Sequence, residues 1–289
     1  MSGWMERQVA VLGLGIIGSR AAGRLAAGGC RVACWNRTTK GMVGEVSEAA
    51  EAVAESAVVA VYLKDSPAVR GVFEQVGEAL APGQVVLNHS TVDLETTQWL
   101  EAFCNQRGCR FLDVPFTGSR LAAEAGNLVY YAGGDADLLN EVEPFLRLTG
   151  KEVLHCGGVG SATVVKLATN LISACTVQAL AEAMAIATGH GVPADAFKRA
   201  VEGNLCCSPL AAFKLPAMAE GDFDTHFSLD NMRKDSVYAL QLAAAAGLET
   251  PAIDAVSARM AGLCREGLGH MDYAALAHPY LAARTDPAG

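Results

Sequence analysis

Along the first half of the chain, short apolar runs rich in Val and Ala alternate with longer segments of helical spacing; the second half shows helical spacing alone. The runs Gln8–Leu12, Arg31–Trp35, 57–63, 85–87, 110–114, 128–134 and 152–156 predict strands. Helices are predicted from the turn at Gly18 to about Ala27, over 68–80 and 94–107, and from near Asp135. This alternation predicts an α/β fold with a Rossmann-type doubly wound sheet. From Ser161 to Gly189 the pattern stays helix-compatible, roughly 29 residues or about 43 Å at about 1.5 Å per residue, long enough to join two domains. Val164, Val165, Leu167, Leu171, Ile172, Ala174, Val177, Leu180, Met184 and Ile186 make it apolar on almost every face, which predicts a buried element. The loop Gly157-Gly158-Val159-Gly160 feeds it, and Ser161 is expected to cap its first turn. Beyond it, 194–201, 213–219, Leu229–Ala245 and 253–265 predict an all-helical domain. The expected domains are 1–160 and 161–289, with 161–189 as the linking helix. The last six residues, 284–289, lack an apolar face and are expected to be disordered.

The 289 residues are 51% hydrophobic and 18% charged, and no stretch of about 18 apolar residues is free of charge, which favours a globular protein over a membrane one. The start, Met1 to Arg7, lacks the basic residues and apolar core of a signal peptide, so a cytoplasmic location is expected. A net charge of −9 argues against general affinity for nucleic acid or anionic membranes. Nine cysteines are scattered without ligand spacing, so reduced, buried thiols are expected, Cys30, Cys34, Cys156 and Cys175 among them, and no metal site.

The first strand leads directly into Gly13-Leu14-Gly15-Ile16-Ile17-Gly18. The first glycine makes the turn, the second lets backbone approach a pyrophosphate, and the third lets helix pack on strand. Framed by a strand before and a helix and second strand after, the motif predicts dinucleotide binding. The second strand ends in Asn36-Arg37-Thr38-Thr39-Lys40 where an NAD site usually has Asp or Glu. Arg37 offers a fork of donors to a 2′-phosphate and Thr38 a hydroxyl, so NADPH is the expected cofactor. Two hydroxyl-rich segments, Ser90-Thr91 and Thr117-Gly118-Ser119, end strands, where ligands of open α/β sheets sit. They could donate to a ligand or bond locally as turn residues. Lys166 and Asn170 leave one face of the long helix a turn apart, consistent with a catalytic pair or with a snorkelling lysine and a local amide.

Together these segments, with Asn88-His89-Ser90-Thr91, Asp113-Val114-Pro115-Phe116-Thr117-Gly118-Ser119, Gly157 to Asn170 and Lys234-Asp235, resemble the β-hydroxyacid dehydrogenase family over about Val9 to Ala275. Trp35-Asn36-Arg37-Thr38 and Gly118-Ser119 look most similar to its glyoxylate and succinic semialdehyde reductases. The resemblance implies reduction of a small carboxylated aldehyde, or the reverse, by a homodimer or homotetramer. It implies Lys166 as general acid or base, its pKa lowered by partial burial, with Asn170 orienting substrate and lysine. Thr117, Gly118 and Ser119 would hold the substrate carboxylate, with Phe227 and Asp235 closing the pocket. Leu63, Thr91 and Lys234 would join the glycine motif, Asn36, Arg37 and Thr38 at the cofactor. Thr117 stands for the commoner serine, Phe116 for a smaller aliphatic, Asn88 for a frequent aspartate and Tyr273 for a serine, departures that bear on substrate identity. An imine reductase is the nearest enzymatic rival, although those enzymes usually lack the lysine. A non-catalytic NADP-binding protein is the rival of another class. A decarboxylating relative would need a second acid or base, and Glu182, about 24 Å along the helix from Lys166, does not provide it.

Overall fold

The computed structural model describes residues 7–285, so the readings of the extreme N-terminus and of 286–289 lie outside the described residues. The chain separates into two compact units, Met1–Lys166 and Leu167–Gly289. The first holds β1 (Gln8–Leu12), β2 (Arg31–Trp35), β3 (Val58–Val61), β4 (Val85–Asn88), β5 (Arg110–Asp113), β6 (Phe116–Thr117), β7 (Leu128–Gly133) and β8 (Gly150–Gly157) in one sheet of order β2-β1-β3-β4-β5-β7-β6, with β8 on β7. β1 to β5 pair in parallel, β7 runs antiparallel to β5 and β6, and β8 runs parallel to β7. The strand order reverses between β1 and β3, which is where such a sheet leaves a crevice at its carboxyl edge.

Strand alternation distributes the core over two layers. Val9 and Val11 of β1 pack on the face covered by α1 (Gly18–Ala27), α5 (Arg120–Ala125) and α6 (Ala136–Leu146). Ala10 and Leu12 face α2 (Ala49–Ala54), α3 (Ser66–Val76) and α4 (Leu94–Asn105). Complete burial of a side chain such as Phe73 or Leu100 contributes about 1.5–3 kcal/mol. Three helix starts follow from aspartate caps: Asp65, Asp93 and Asp135 accept from the amides of Ala68, Thr96 and Leu138 at 3.0, 2.6 and 2.7 Å. The Asp65 cap starts α3 at Ser66, ahead of the predicted 68. Helices α2 and α5 are additions to the predicted set; at six residues each they are too short for a helical period to register.

The helical unit contains most of α7 (Ser161–Gly189), then α8 (Ala194–Glu202), α9 (Pro209–Glu220), α10 (Leu229–Ala245), α11 (Pro251–Arg265) and α12 (His278–Thr285). Its core joins Ala174, Val177 and Met184 of α7 to Leu215 and Met218 of α9, Met232 of α10 and Met260 of α11. Residues 284 and 285, expected to be disordered, belong to α12.

Three further expectations are corrected. The long helix has the predicted bounds but is not buried on almost every face: Val164, Ile172 and Ile186 are exposed, Ile172 at 62%. By length and composition α7 is apolar enough to cross a membrane, and only 33% of its qualifying 18-residue apolar stretch is buried. Ser161 does not cap the helix; its hydroxyl donates to the Gly158 carbonyl. All nine cysteines are unpaired, but only Cys30, Cys34, Cys104 and Cys109 are buried, while Cys156 and Cys175 are half-buried.

Candidate functional site

The glycine motif is built as its spacing requires. Gly13, at φ +100°, bonds through its amide to the Trp35 carbonyl at 2.8 Å, closing the β1 turn against β2. A Cβ on Gly18 would lie 1.9 Å from the Gly13 carbonyl oxygen, and one on Gly13 would lie 2.4 Å from that of Tyr62, so both are glycine by necessity. Gly15 differs: nothing lies within 4 Å of its would-be Cβ. That open space, beside a helix whose N-cap Ile17 makes no side-chain cap and whose first turn has no acid, fits the backbone approach of a pyrophosphate. Ile16 is exposed at the same turn, and Leu14 is buried beneath it.

Asn36 braces this loop, since its Oδ1 accepts from the Leu14 amide at 2.9 Å and its Nδ2 donates to the Thr38 carbonyl at 2.7 Å. Arg37 and Thr38 are exposed, and among the described residues neither side chain has a hydrogen bond or ion pair. The two hydroxyl-rich segments behave differently. Ser90 is an internal brace rather than a pocket-lining residue, because its buried Oγ accepts from the Leu63 amide at 2.8 Å and donates to the Val61 carbonyl at 3.3 Å. Asn88, also buried, accepts from the Ser90 amide, and Thr91 follows half-buried. Thr117 is exposed on β6, Gly118 turns with φ +134°, and Ser119 precedes α5 without capping it. Neither the Thr117 nor the Ser119 hydroxyl is engaged locally, which leaves both available to a ligand.

Two motif residues to which the sequence pattern assigns no role support this unit. Asp113, fully buried at the end of β5, accepts from the Thr163 amide at 2.8 Å and its hydroxyl at 3.0 Å. It is the cap that Ser161 was expected to be, and it fixes the turn of α7 immediately before Lys166. Burial raises its pKa to about 6 against the bonds from Thr163 and Gly160, which favour the anion. Because the cap is distant in sequence, S/T/D/N spacing could not disclose it. His89, also buried, bonds through Nδ1 to the Val114 carbonyl at 2.8 Å and stacks on Tyr62 at 4.6 Å. Burial lowers its pKa to about 4, so the ring is neutral, its Nδ1–H donates, and its Nε2 has no partner. It ties the end of β4 to the turn that carries Thr117. Lys166 closes the unit on α7, 9% exposed.

In the helical unit Asn170, one turn beyond Lys166 on α7, donates through Nδ2 to Asp235 Oδ2 at 2.7 Å. Lys234 Nζ lies 3.1 Å from the other carboxylate oxygen of Asp235, which is 1% exposed. Because the Nδ2 donates to that carboxylate, the amide orientation is set and Asn170 Oδ1 is left to accept from a substrate hydroxyl or an ammonium. Asp235 is thus engaged by Asn170 and Lys234 within its own unit. Phe227 is half-buried, edge-on to Tyr273 at 6.1 Å, and its amide bonds to Asp272 at 3.1 Å. Asp272 also takes the buried Lys214 at 2.6 Å. Burial lowers the Lys214 pKa, opposed by Asp272, and the pair pins the 226–227 backbone. Tyr273, in the place of the usual serine, therefore packs against Phe227. No group of three His, Cys, Asp or Glu suited to a metal occurs among the described residues.

A glycine-loop α/β unit with an uncapped helix start, followed by a helical unit with an oriented amide on α7, defines an NAD(P)-dependent oxidoreductase. The model of the NAD-binding domain of 6-phosphogluconate dehydrogenase matches residues 8–158, and that of the NAD-binding domain of NADP-dependent 3-hydroxyisobutyrate dehydrogenase matches 160–280. The chain belongs to the β-hydroxyacid dehydrogenase family. It is 29% identical to glyoxylate/succinic semialdehyde reductase 1 of Arabidopsis thaliana, covering 93% of this chain and 96% of that one. It is 28% identical to the NAD-dependent L-serine dehydrogenase of Pseudomonas aeruginosa, over 92% and 95%. Among solved structures, 3-hydroxyisobutyrate dehydrogenase of Mycobacterium tuberculosis with L-serine superposes with TM-score 0.87 at 26% identity, covering 95% of this chain and 99% of that one.

Proposed function

We propose that this enzyme uses NADPH to reduce a small carboxylated aldehyde, of the kind of glyoxylate or succinic semialdehyde, to its hydroxyacid, or runs the reverse. The observation that carries the reading is Lys166 followed one turn later by an Asn170 whose amide is set by Asp235. A bound dinucleotide would supply hydride to the carbonyl carbon, or take it from the carbinol carbon in the reverse direction. Lys166 donates the proton to the carbonyl oxygen, and takes it back in the oxidative direction. Asn170, held by Asp235, orients the oxygen and the lysine. Thr117, Gly118 and Ser119 offer hydroxyl and amide donors to the substrate carboxylate, while the glycine motif receives the pyrophosphate. Arg37, without an acidic partner at the end of β2, favours the 2′-phosphate of NADPH. The exposed apolar side of α7 (Val164, Ile172, Ile186) favours a homodimer or homotetramer, and the reaction suits a cytoplasmic enzyme.

A spectrophotometric screen of NADPH oxidation tests the reading with glyoxylate, succinic semialdehyde, propanal and a cyclic imine. The carboxylated aldehydes are expected to exceed propanal in kcat/KM by about tenfold or more, the worth of a charge-assisted carboxylate contact. Preference for the imine, or absence of turnover with every compound, overturns it.

A further inference from the structure

A half-open cleft of about 320 Å³ lies within the helical unit, lined by Gln178 and Glu182 of α7, Ala255, Val256 and Arg259 of α11, and Tyr280 of α12. It takes no part in the chemistry assigned to Lys166 and Asn170. Gln178 is 7% exposed, and its Nε2 donates to Glu182 Oε1 at 2.7 Å and to the Tyr280 hydroxyl at 3.1 Å. That leaves its Oε1, a buried acceptor, without a donor. Across the cleft Arg259 has the opposite deficit. Its Nε–H is buried without an acceptor, and its guanidinium lies 5.4 Å from the centre of the Tyr280 ring. Among the described residues Arg259 makes no ion pair, and the Glu182 carboxylate meets no cation.

Each orphan is costly, the charged one more than the neutral one. Waters could meet both orphans, and the volume holds about ten at about 30 Å³ each. What waters do not explain is a guanidinium and a carboxylate lining one small cleft without pairing. A ligand with the opposite order of charges satisfies all three groups at once: a carboxylate on Arg259, and an ammonium on Glu182 and Gln178 Oε1. The aromatic face of Tyr280 and the side chains of Ala255 and Val256 suit a short aliphatic spacer.

We propose that this cleft is an accessory binding site for a small zwitterion, an amino acid with carboxylate and ammonium joined by a short chain. The assignment does not depend on which aldehyde the enzyme reduces. Gln178 sits eight residues beyond Asn170 on one helix, about 12 Å at about 1.5 Å per residue, so the site is distinct from the reacting groups.

Calorimetric titration of the NADPH-saturated full chain tests it, with glycine, β-alanine and 4-aminobutyrate as probes, and propionate and ethylammonium as single-charge controls. Saturable binding is expected for one spacer length, with both controls weaker by about tenfold or more, since each lacks one charge-assisted contact. Arg259→Ala is expected to weaken the preferred probe by about tenfold or more while thermal denaturation stays cooperative. The exposed Glu182→Gln, which leaves packing untouched, is expected to lower its advantage over propionate, and Lys166→Ala to leave its affinity unchanged. Absence of saturable binding overturns the proposal and leaves a water-filled cleft. Binding lost in Lys166→Ala but kept in Arg259→Ala overturns it in favour of the substrate site. A smaller assembly for Arg259→Ala by sedimentation, with probe affinity unchanged, overturns it in favour of a subunit contact.

Discussion

The candidate site residues of the two units treat their polar groups in opposite ways. In the first, the start of α1 is uncapped, the space over Gly15 is empty, and Arg37, Thr117 and Ser119 have side chains without partners. In the helical unit the corresponding groups are consumed internally: Asn170 by Asp235, Asp235 by Lys234, and Asp272 by Lys214 and three backbone amides. A surface that binds a large polar cofactor must keep donors open, because the ligand is their partner. A group that has to hold one orientation during proton transfer must be satisfied beforehand, or it pairs with water and turns. Substitutions in the open set should therefore change affinity, and those in the satisfied set turnover.

The largest effect is expected at Lys166→Ala, with turnover reduced by about two to four orders of magnitude and NADPH affinity nearly intact. An equal loss of cofactor binding would make the lysine structural. Asp235→Ala, which frees the Asn170 amide to rotate, should lower kcat by about tenfold to a hundredfold with the KM for NADPH unchanged. A drop in thermal stability with kcat preserved would reduce that carboxylate to a packing element. Gly15→Ala should leave the melting temperature unchanged, since its methyl meets no atom, yet weaken the dinucleotide by about tenfold or more. Gly18→Ala should lower the melting temperature itself, and equal melting losses for both would break the contrast. Arg37→Ala should weaken NADPH by about tenfold and hardly change NADH. A wild-type preference for NADH would sink the cofactor reading.

The smallest net effect, that on the unsubstituted protein, concerns acid. Burial lowers His89 from 6.5 to about 4, so its contribution to stability is complete above pH 6.5 and is lost as pH falls through about 4. Burial raises Asp113 from 3.8 to about 6, so its contribution is complete below pH 3.8 and is lost as pH rises through about 6. Each is worth about 3 kcal/mol. Their signs oppose, so the sum is nearly flat between pH 4 and 6.5. Urea denaturation at stepped pH should show His89→Phe gaining stability on acidification and Asp113→Asn losing it. Parallel profiles for the two variants would refute the assignment.

Much of this was legible in the chain because it rests on local patterning. Gly13, Gly15 and Gly18 sit at intervals dictated by one turn, and strand alternation dictated which residues of β1 face each layer. The bounds of α7 were readable because its glycine loop and its Gly189 end lie beside it in sequence. What depends on contacts between distant residues was not readable. Asp113 caps a helix 50 residues later, Asp235 sets an amide 65 residues earlier, and Ser90 turned from a pocket candidate into a brace because Leu63 and Val61 lie beside it in the sheet. The exposed side of α7 is of the same kind, since composition cannot say which apolar residues find neighbours. Sequence by itself determined the elements, the cofactor loop and the Lys166–Asn170 spacing, because backbone sterics and helical periodicity act over a few residues. Only the tertiary structure decided which of the polar groups are held and which are left open, because a hydrogen-bond partner is chosen by proximity in space.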